Sequence, residues 1–239
     1  MNRRLLLTAG SGVLGVAVLN TVTGCGSSPS STSPAAPETS VPAAAGLGDW
    51  HRADLSFVSA WILVRGGEAA VVDTGTPGSG PAIEAALKAA GSGWDRVRHL
   101  ILTHQHQDHA GGLAEIVPSL SAKLYAGGED VASIVSDVAL TPVADGDDIF
   151  GLRVVGTPGH TLGHISLFEP ATGVLVAGDA LRNQNGLEGS APEYTADATQ
   201  AVASVRKLAV LPVRVILPGH GDPLTSGAAD TLQKLAATL

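Results

Sequence analysis

Only one cysteine, Cys25, occurs in the chain, which excludes an internal disulfide and any cysteine-rich zinc site. Aromatic residues are also scarce, at 3% of 239 positions. A core must therefore come from Ala, Val, Leu and Ile, and the 44% hydrophobic content supplies it. Basic residues are few: 14 Lys and Arg stand against 22 Asp and Glu, for a net charge of −8, and no basic tract occurs. Phosphate binding needs clustered Lys and Arg, so nucleic acid is not an expected partner. No internal repeat at solenoid spacing is present. What is abundant is glycine and proline, 30 and 14 residues, which predicts many tight loops.

The first residues read as an address. Arg3 and Arg4 precede an apolar, uncharged run from Leu5 to Leu19. That run is too short and too Gly-rich for a membrane span of ~20 residues, but it suits a signal peptide. It closes on Val22-Thr23-Gly24-Cys25, which resembles the bacterial lipobox, and Cys25 is the residue that would be lipidated. Arg3-Arg4-Leu5-Leu6-Leu7 is similar to a twin-arginine signal. Residues 1–24 are thus expected to be a lipoprotein signal peptide. Residues 25–46, Ser-, Thr-, Pro- and Ala-rich after the lipidated Cys, are expected to be a disordered tether. Residues 47–239 are expected to be the functional domain, held on the outer face of a bacterial membrane.

Within that domain, residues 55–65 and 69–72 read as a hairpin around Gly66-Gly67. Pro81–Ala90 reads as a helix, and Val97–Leu102 as a strand. Gly111–Val117 reads as a short helix ended by Pro118. A strand near 122–126 and a helix near 128–137 follow. Residues 149–156, 164–168 and 173–177 read as three strands. Residues 181–195 read as a long polar loop. Residues 196–209 read as an amphipathic helix with Ala198, Val202, Val205 and Leu208 on one face. Val213–Leu217 is a strand and 226–238 the last helix. Hairpins mixed with strand–helix alternation predict an α/β sandwich of mixed sheets.

The chemistry concentrates in Thr103-His104-Gln105-His106-Gln107-Asp108-His109. In extended chain, alternate side chains face the same way, so His104 and His106 can share one metal. Asp108 and His109, where the chain turns, can address a second. His and Asp donors suit zinc at ~2.0–2.2 Å.

This His-x-His-x-Asp-His motif after an apolar strand resembles the signature of the metallo-β-lactamase superfamily. Four further stretches resemble its other motifs, in order: Val71-Val72-Asp73-Thr74-Gly75, Thr157-Pro158-Gly159-His160, Ala177-Gly178-Asp179 and Leu217-Pro218-Gly219-His220-Gly221. The resemblance implies a four-layered αβ/βα sandwich with its site along one edge, and a hydrolase that binds two zinc ions. His104, His106 and His160 would hold the first ion. Asp108, His109 and His220 would hold the second, with Asp179 shared. A hydroxide bridging the metals would attack an ester, thioester, lactone or related bond of a small molecule, with Asp108 and Asp179 as ligands that also serve the reaction. Asp73 would brace the metal loop, and His164 would orient a neighbour without binding metal.

Phe57 and Trp61 are candidates for a substrate wall, and Arg182, Asn183 and Tyr194 for substrate contacts in the 181–195 loop. His51 and His99 read as structural or surface residues. Asp179 stands where β-lactamases of the superfamily typically carry Cys or Ser. It resembles the glyoxalase II and lactonase branches instead. The chain ends soon after His220, so the helical C-terminal domain of typical glyoxalase II is not expected. Arg182 replaces the Tyr usual in quorum-quenching lactonases. A mononuclear-iron persulfide dioxygenase, a β-lactamase and a non-catalytic zinc-binding surface lipoprotein are the alternatives.

Overall fold

The computed structural model describes residues 47–239. The expected signal peptide, the lipidation site Cys25 and the tether lie outside the described residues.

Six strands form the first sheet, in spatial order β1-β2-β3-β4-β5-β6. These are β1 (Trp50–Asp54), β2 (Ser59–Arg65), β3 (Glu68–Val72), β4 (Val97–Leu102), β5 (Lys123–Gly127) and β6 (Thr141–Val143). β1, β2 and β3 pair antiparallel, while β3 through β6 pair parallel. The second sheet runs β13-β10-β9-β8-β7. Its members are β7 (Asp148–Ile149), β8 (Leu152–Gly156), β9 (Ile165–Glu169), β10 (Val174–Gly178) and β13 (Val215–Pro218). A separate hairpin pairs β11 (Leu181–Asn183) with β12 (Leu187–Gly189).

The two-residue period of the strands sorts side chains into three cores. On β2, Trp61 and Leu63 face the second sheet and pack with Leu152, Leu167, Val176 and Leu217. Between them Ile62 faces outward, beneath Ile83 and Leu87 of α1 (Gly80–Ala89) and Leu113 of α3 (Leu113–Ile116). Leu175 and Ile216 leave the second sheet on its other side. They pack under Val205 and Leu208 of α4 (Ala198–Leu208) and Leu232 of α5 (Ala228–Thr238). Helix, sheet, sheet, helix is the expected αβ/βα sandwich. Among the described residues no helix is long and apolar enough to cross a membrane.

Local chemistry explains the helix bounds. Pro81 occupies the first turn of α1, where its missing N–H costs nothing. Asp197 caps α4 by accepting the N–H of Gln200, and Arg206 and Lys207 lie in its last turn, against the negative end of the dipole.

Several expectations need correction. The strand expected at 55–65 is β2 alone, and β1 precedes it. The 149–156 strand is a hairpin, because Phe150 and Gly151 both adopt positive φ, 59° and 78°. No α-helix spans 128–137: only a 3-10 turn at Val131–Ser133 forms, in a stretch of weak helix formers. The 111–117 helix is the short α3, and a further short helix, α2 (Gln107–Ala110), precedes it. The buried face of α4 is Ala201, Ser204, Val205 and Leu208, with Ala198 exposed and Val202 half-buried. The 181–195 loop contains β11 and β12, turned at Asn185-Gly186 with Gly186 at φ 116°.

Candidate metal centre

The carboxyl ends of the parallel strands meet on one edge of the sandwich. β3 delivers Asp73, β4 delivers Thr103 to His109, β10 delivers Asp179, and β13 delivers His220. His160 arrives on the turn between β8 and β9. Metal-competent donor atoms form three overlapping groups, each with its atoms within 4.8 Å of one another: His104, His106 and His160; His104, His109 and Asp179; Asp108, His109 and His220. All seven residues expected as ligands are in these groups.

The spacing of the donors suits a coordinated ion. His106 Nδ1 and His160 Nε2 lie 3.0 Å apart, and His109 Nε2 and His220 Nε2 lie 3.4 Å apart. Asp179 Oδ1 is 3.2 Å from His109 Nε2, and its Oδ2 is 3.2 Å from His220 Nε2 and 3.5 Å from His160 Nε2. Asp108 Oδ2 is 3.2 Å from His220 Nε2. A tetrahedron with metal arms of ~2.0–2.2 Å has edges of about 3.3–3.6 Å. Asp179 thus reaches towards both groups.

In three of the rings a partner on Nδ1 settles which nitrogen faces the cluster. Thr103 gives its hydroxyl proton to Asp73 Oδ2 at 2.8 Å. Its oxygen, 3.0 Å from His104 Nδ1, must therefore accept that N–H. His104 Nε2 is left buried without a partner, as are Asp179 Oδ1 and His160 Nδ1. His109 donates Nδ1–H to Asp73 Oδ2 at 2.8 Å, and His220 donates Nδ1–H to Phe57 O at 2.8 Å. In His104, His109 and His220, Nε2 is therefore the nitrogen that faces the cluster and would take a metal. The donor set, with His104 Nε2 and Asp179 Oδ1 buried and unpartnered, fits the binding of divalent metal.

Burial and charge divide the histidines. Desolvation holds His104 well below its ordinary range and His160 at about 4. His109 is also desolvated, but the Asp179 and Asp73 carboxylates outweigh this and raise it well above normal. For His220, desolvation is outweighed by hydrogen bonds to Asp108 and Asp179, which raise it to about 10. Burial alone would raise Asp179, yet the His109 charge and hydrogen bond pull it well below the usual carboxylate range.

A cavity of about 610 Å³ opens over the cluster, and Phe57, Asp108, Asp179, Arg182, Tyr194 and His220 are among its walls. Phe57 and Tyr194 are exposed at the rim. Arg182 lines the cavity while pairing with Glu188 at 2.9 Å. Asn183 is not a cavity residue: its amide donates to Asp222 O at 2.7 Å and braces the loop of His220. Trp61 is not a wall residue either, being fully buried with its indole N–H on Pro218 O at 2.9 Å. His99 is partly exposed and stacks on Tyr125, away from the cluster.

Sequence reasoning missed Thr103, which sits under two site residues, and Thr157 and Ser166, which sit beneath His164. It also missed Asp130. Thr103 reaches Asp73 and Asp130 reaches Thr161 across 30 and 31 residues, so no local pattern marks those contacts.

Two facing sheets, outer helices and a His/Asp cluster on the shared edge define a metallo-hydrolase-type αβ/βα fold. The metallo-beta-lactamase superfamily model matches residues 53–220, and the chain belongs to that superfamily. Hydroxyacylglutathione hydrolase of Dechloromonas aromatica (strain RCB) is 33% identical over 169 residues, 66% of this chain and 58% of that relative. The chain therefore spans little more than half the length of this relative. Metallo-beta-lactamase domain-containing protein 1 of Xenopus laevis is 34% identical over 189 residues, 74% of each chain. A metallo-beta-lactamase family protein from Thermus thermophilus superposes with a TM-score of 0.64 at 24% identity, covering 80% of this chain and 79% of that one. This last likeness speaks to the fold alone.

Proposed function

We propose that the chain is a zinc-dependent hydrolase of a small molecule, cleaving an ester, thioester or lactone bond with two zinc ions. His104, His106 and His160 would hold one ion, and Asp108, His109 and His220 the other, with Asp179 shared. The observation that carries this reading is the orientation of His104, His109 and His220, each held through Nδ1 so that Nε2 faces the cluster. When bound, such a pair supplies Lewis acidity, which lowers the pKa of water and polarises a carbonyl oxygen.

The chain's own groups do the rest. Asp108 and Asp179 line the cavity and can orient a water by accepting its hydrogen bond. Phe57 and Tyr194 offer apolar contact to the body of the substrate. Hydrolysis adds water across the acyl bond, giving a carboxylic acid and the freed thiol or alcohol. The likeness to hydroxyacylglutathione hydrolases supports a thioester as the first substrate class to try. Residues 1–25 support export and a lipid anchor at Cys25, with the domain outside the membrane.

Elemental analysis of the purified full chain tests the metal reading. Close to two zinc per chain is expected. One iron and no zinc would overturn it in favour of a mononuclear-iron oxidoreductase.

A further inference from the structure

Asp130 follows β5 and is 1% exposed, and its carboxylate bonds to none of the seven candidate ligands' side chains but to groups beside them. Its carboxylate receives three hydrogen bonds. Oδ2 accepts the N–H of Gln105 at 3.0 Å and the hydroxyl of Thr161 at 2.6 Å. Oδ1 accepts the N–H of Gly163 at 2.8 Å. Gln105 stands between His104 and His106, and Thr161 follows His160. One carboxylate therefore ties the histidine arm of the first sheet to the histidine loop of the second. Across that junction His106 Nδ1 and His160 Nε2 lie 3.0 Å apart.

The packing at the junction leaves no slack. A Cβ on Gly163 would stand 2.6 Å from Asp130 Oδ1, and one on Gly127 would overlap the carbonyl oxygen of Gly163. Both positions need glycine because the two loops approach so closely. A backbone bond from Ile165 N–H to Thr103 O, 2.9 Å, joins the loops at their roots. Asp130 joins them further out, beside the histidines. The second group of donors is braced separately, His109 by Asp73 and His220 by Phe57 O.

We propose that Asp130 is a positioning residue that sets the gap between the His104–His106 arm and His160. It thereby governs the affinity and geometry of the ion those three histidines hold, and leaves the Asp108, His109 and His220 group unaffected. This rests on the metal-binding reading above. Only an ionised carboxylate offers acceptor oxygens to all three donors. Asn in its place would set an NH2 group against a buried donor, on one side or the other, and leave it unsatisfied.

Cobalt titration of the full chain, stripped of metal, tests this through affinity and the visible Co(II) spectrum, independently of turnover. In Asp130→Asn, one of the two cobalt equivalents should weaken ~10–100-fold with an altered spectrum, and the other should bind as in wild type. Thr161→Val should give a smaller change of the same kind, and Thr161→Ser should restore wild-type behaviour. Wild-type affinity and spectrum for both equivalents in Asp130→Asn would overturn the proposal. So would equal weakening of both. Should Asp130→Asn fail to fold, unchanged binding in Thr161→Val would overturn it in the same way. A wild-type chain that takes up no cobalt or zinc would instead overturn the metal reading, and this inference with it.

Discussion

The ring of His164 accepts the backbone N–H of Asp179 at Nε2, 3.0 Å away. Its Nδ1–H therefore goes to Thr157 Oγ1 at 2.8 Å. Thr157 in turn lies 3.0 Å from Ser166 Oγ, and Ser166 donates to Ala177 O at 2.9 Å. Every polar atom of this buried chain has a partner, so it can be rigid without penalty. Desolvation keeps the ring at about 3, so it stays neutral at physiological pH. Both nitrogens are committed, and His164 has no lone pair left for a metal.

Replacing each member of this pair should therefore have different consequences. Asp179→Asn removes the carboxylate proposed to be shared, and should lower bound metal below two per chain with near-total loss of hydrolysis. His164→Ala loosens only the backbone beneath it, and should keep two metals with a ~10–100-fold loss of rate. Metal content and turnover on both variants decide the matter. A His164→Ala protein that loses a metal while Asp179→Asn keeps both contradicts the ligand set.

Asp73 should matter almost as much, although it faces no cavity. It is 2% exposed and holds His109 Nδ1 at 2.8 Å and the Thr103 N–H at 2.7 Å. Asp73→Ala should weaken metal at the His109 group by ~10–100-fold, measured by competition with a chelating dye. Unchanged affinity in a folded variant would show that Asp73 does not orient His109.

The charge division among the histidines predicts unequal proton release. From protein groups alone, His160 sits at about 4, so it is neutral at pH 7 and takes a cation without giving up a proton. His220 sits at about 10, so it is protonated at pH 7 and must release that proton to bind. Affinity at the Asp108, His109 and His220 group should therefore rise steadily from pH 6.5 towards 9. Affinity at the His104, His106 and His160 group should change far less. Calorimetry in buffers of differing ionisation enthalpy counts the protons, and equal release for both equivalents would refute this division.

Cys25 carries the proposal on location. Cys25→Ser in the full chain should abolish lipidation and release or mislocalise the protein, as read by mass spectrometry and membrane fractionation. If the variant stays membrane-bound and both it and the wild type retain residues 1–24, the lipobox reading is wrong.

What the sequence made legible is what it encodes locally. Val97–Leu102 closes on the apolar Leu100-Ile101-Leu102 just before the His-rich loop, and β4 has those bounds. The seven candidate ligands lie in four compact motifs: spacing marked His104, His106, Asp108 and His109, and the resemblance to the metallo-β-lactamase superfamily supplied His160, Asp179 and His220. Edge strands were harder. β1 carries His51, Arg52 and Asp54 among its five residues and exists through its pairing with β2. Phe150 hid a turn because a bulky residue at φ 59° is uncommon. Asn185-Gly186 was a readable hairpin signal, masked by the polar composition around it. Asp130 fell in a stretch read as helix, and its three partners lie 25 to 33 residues away in sequence. Asp73 and His164 were legible through the family's motifs, but the roles of Thr103, Thr157, Ser166 and Asp130 come from the assembled fold.

Thioester hydrolysis by the zinc-loaded full chain tests the central claim most directly. The account predicts steady release of free thiol, lost on treatment with a chelator and restored when zinc is returned. A chain that carries its zinc but leaves thioester, ester and lactone substrates intact would contradict it.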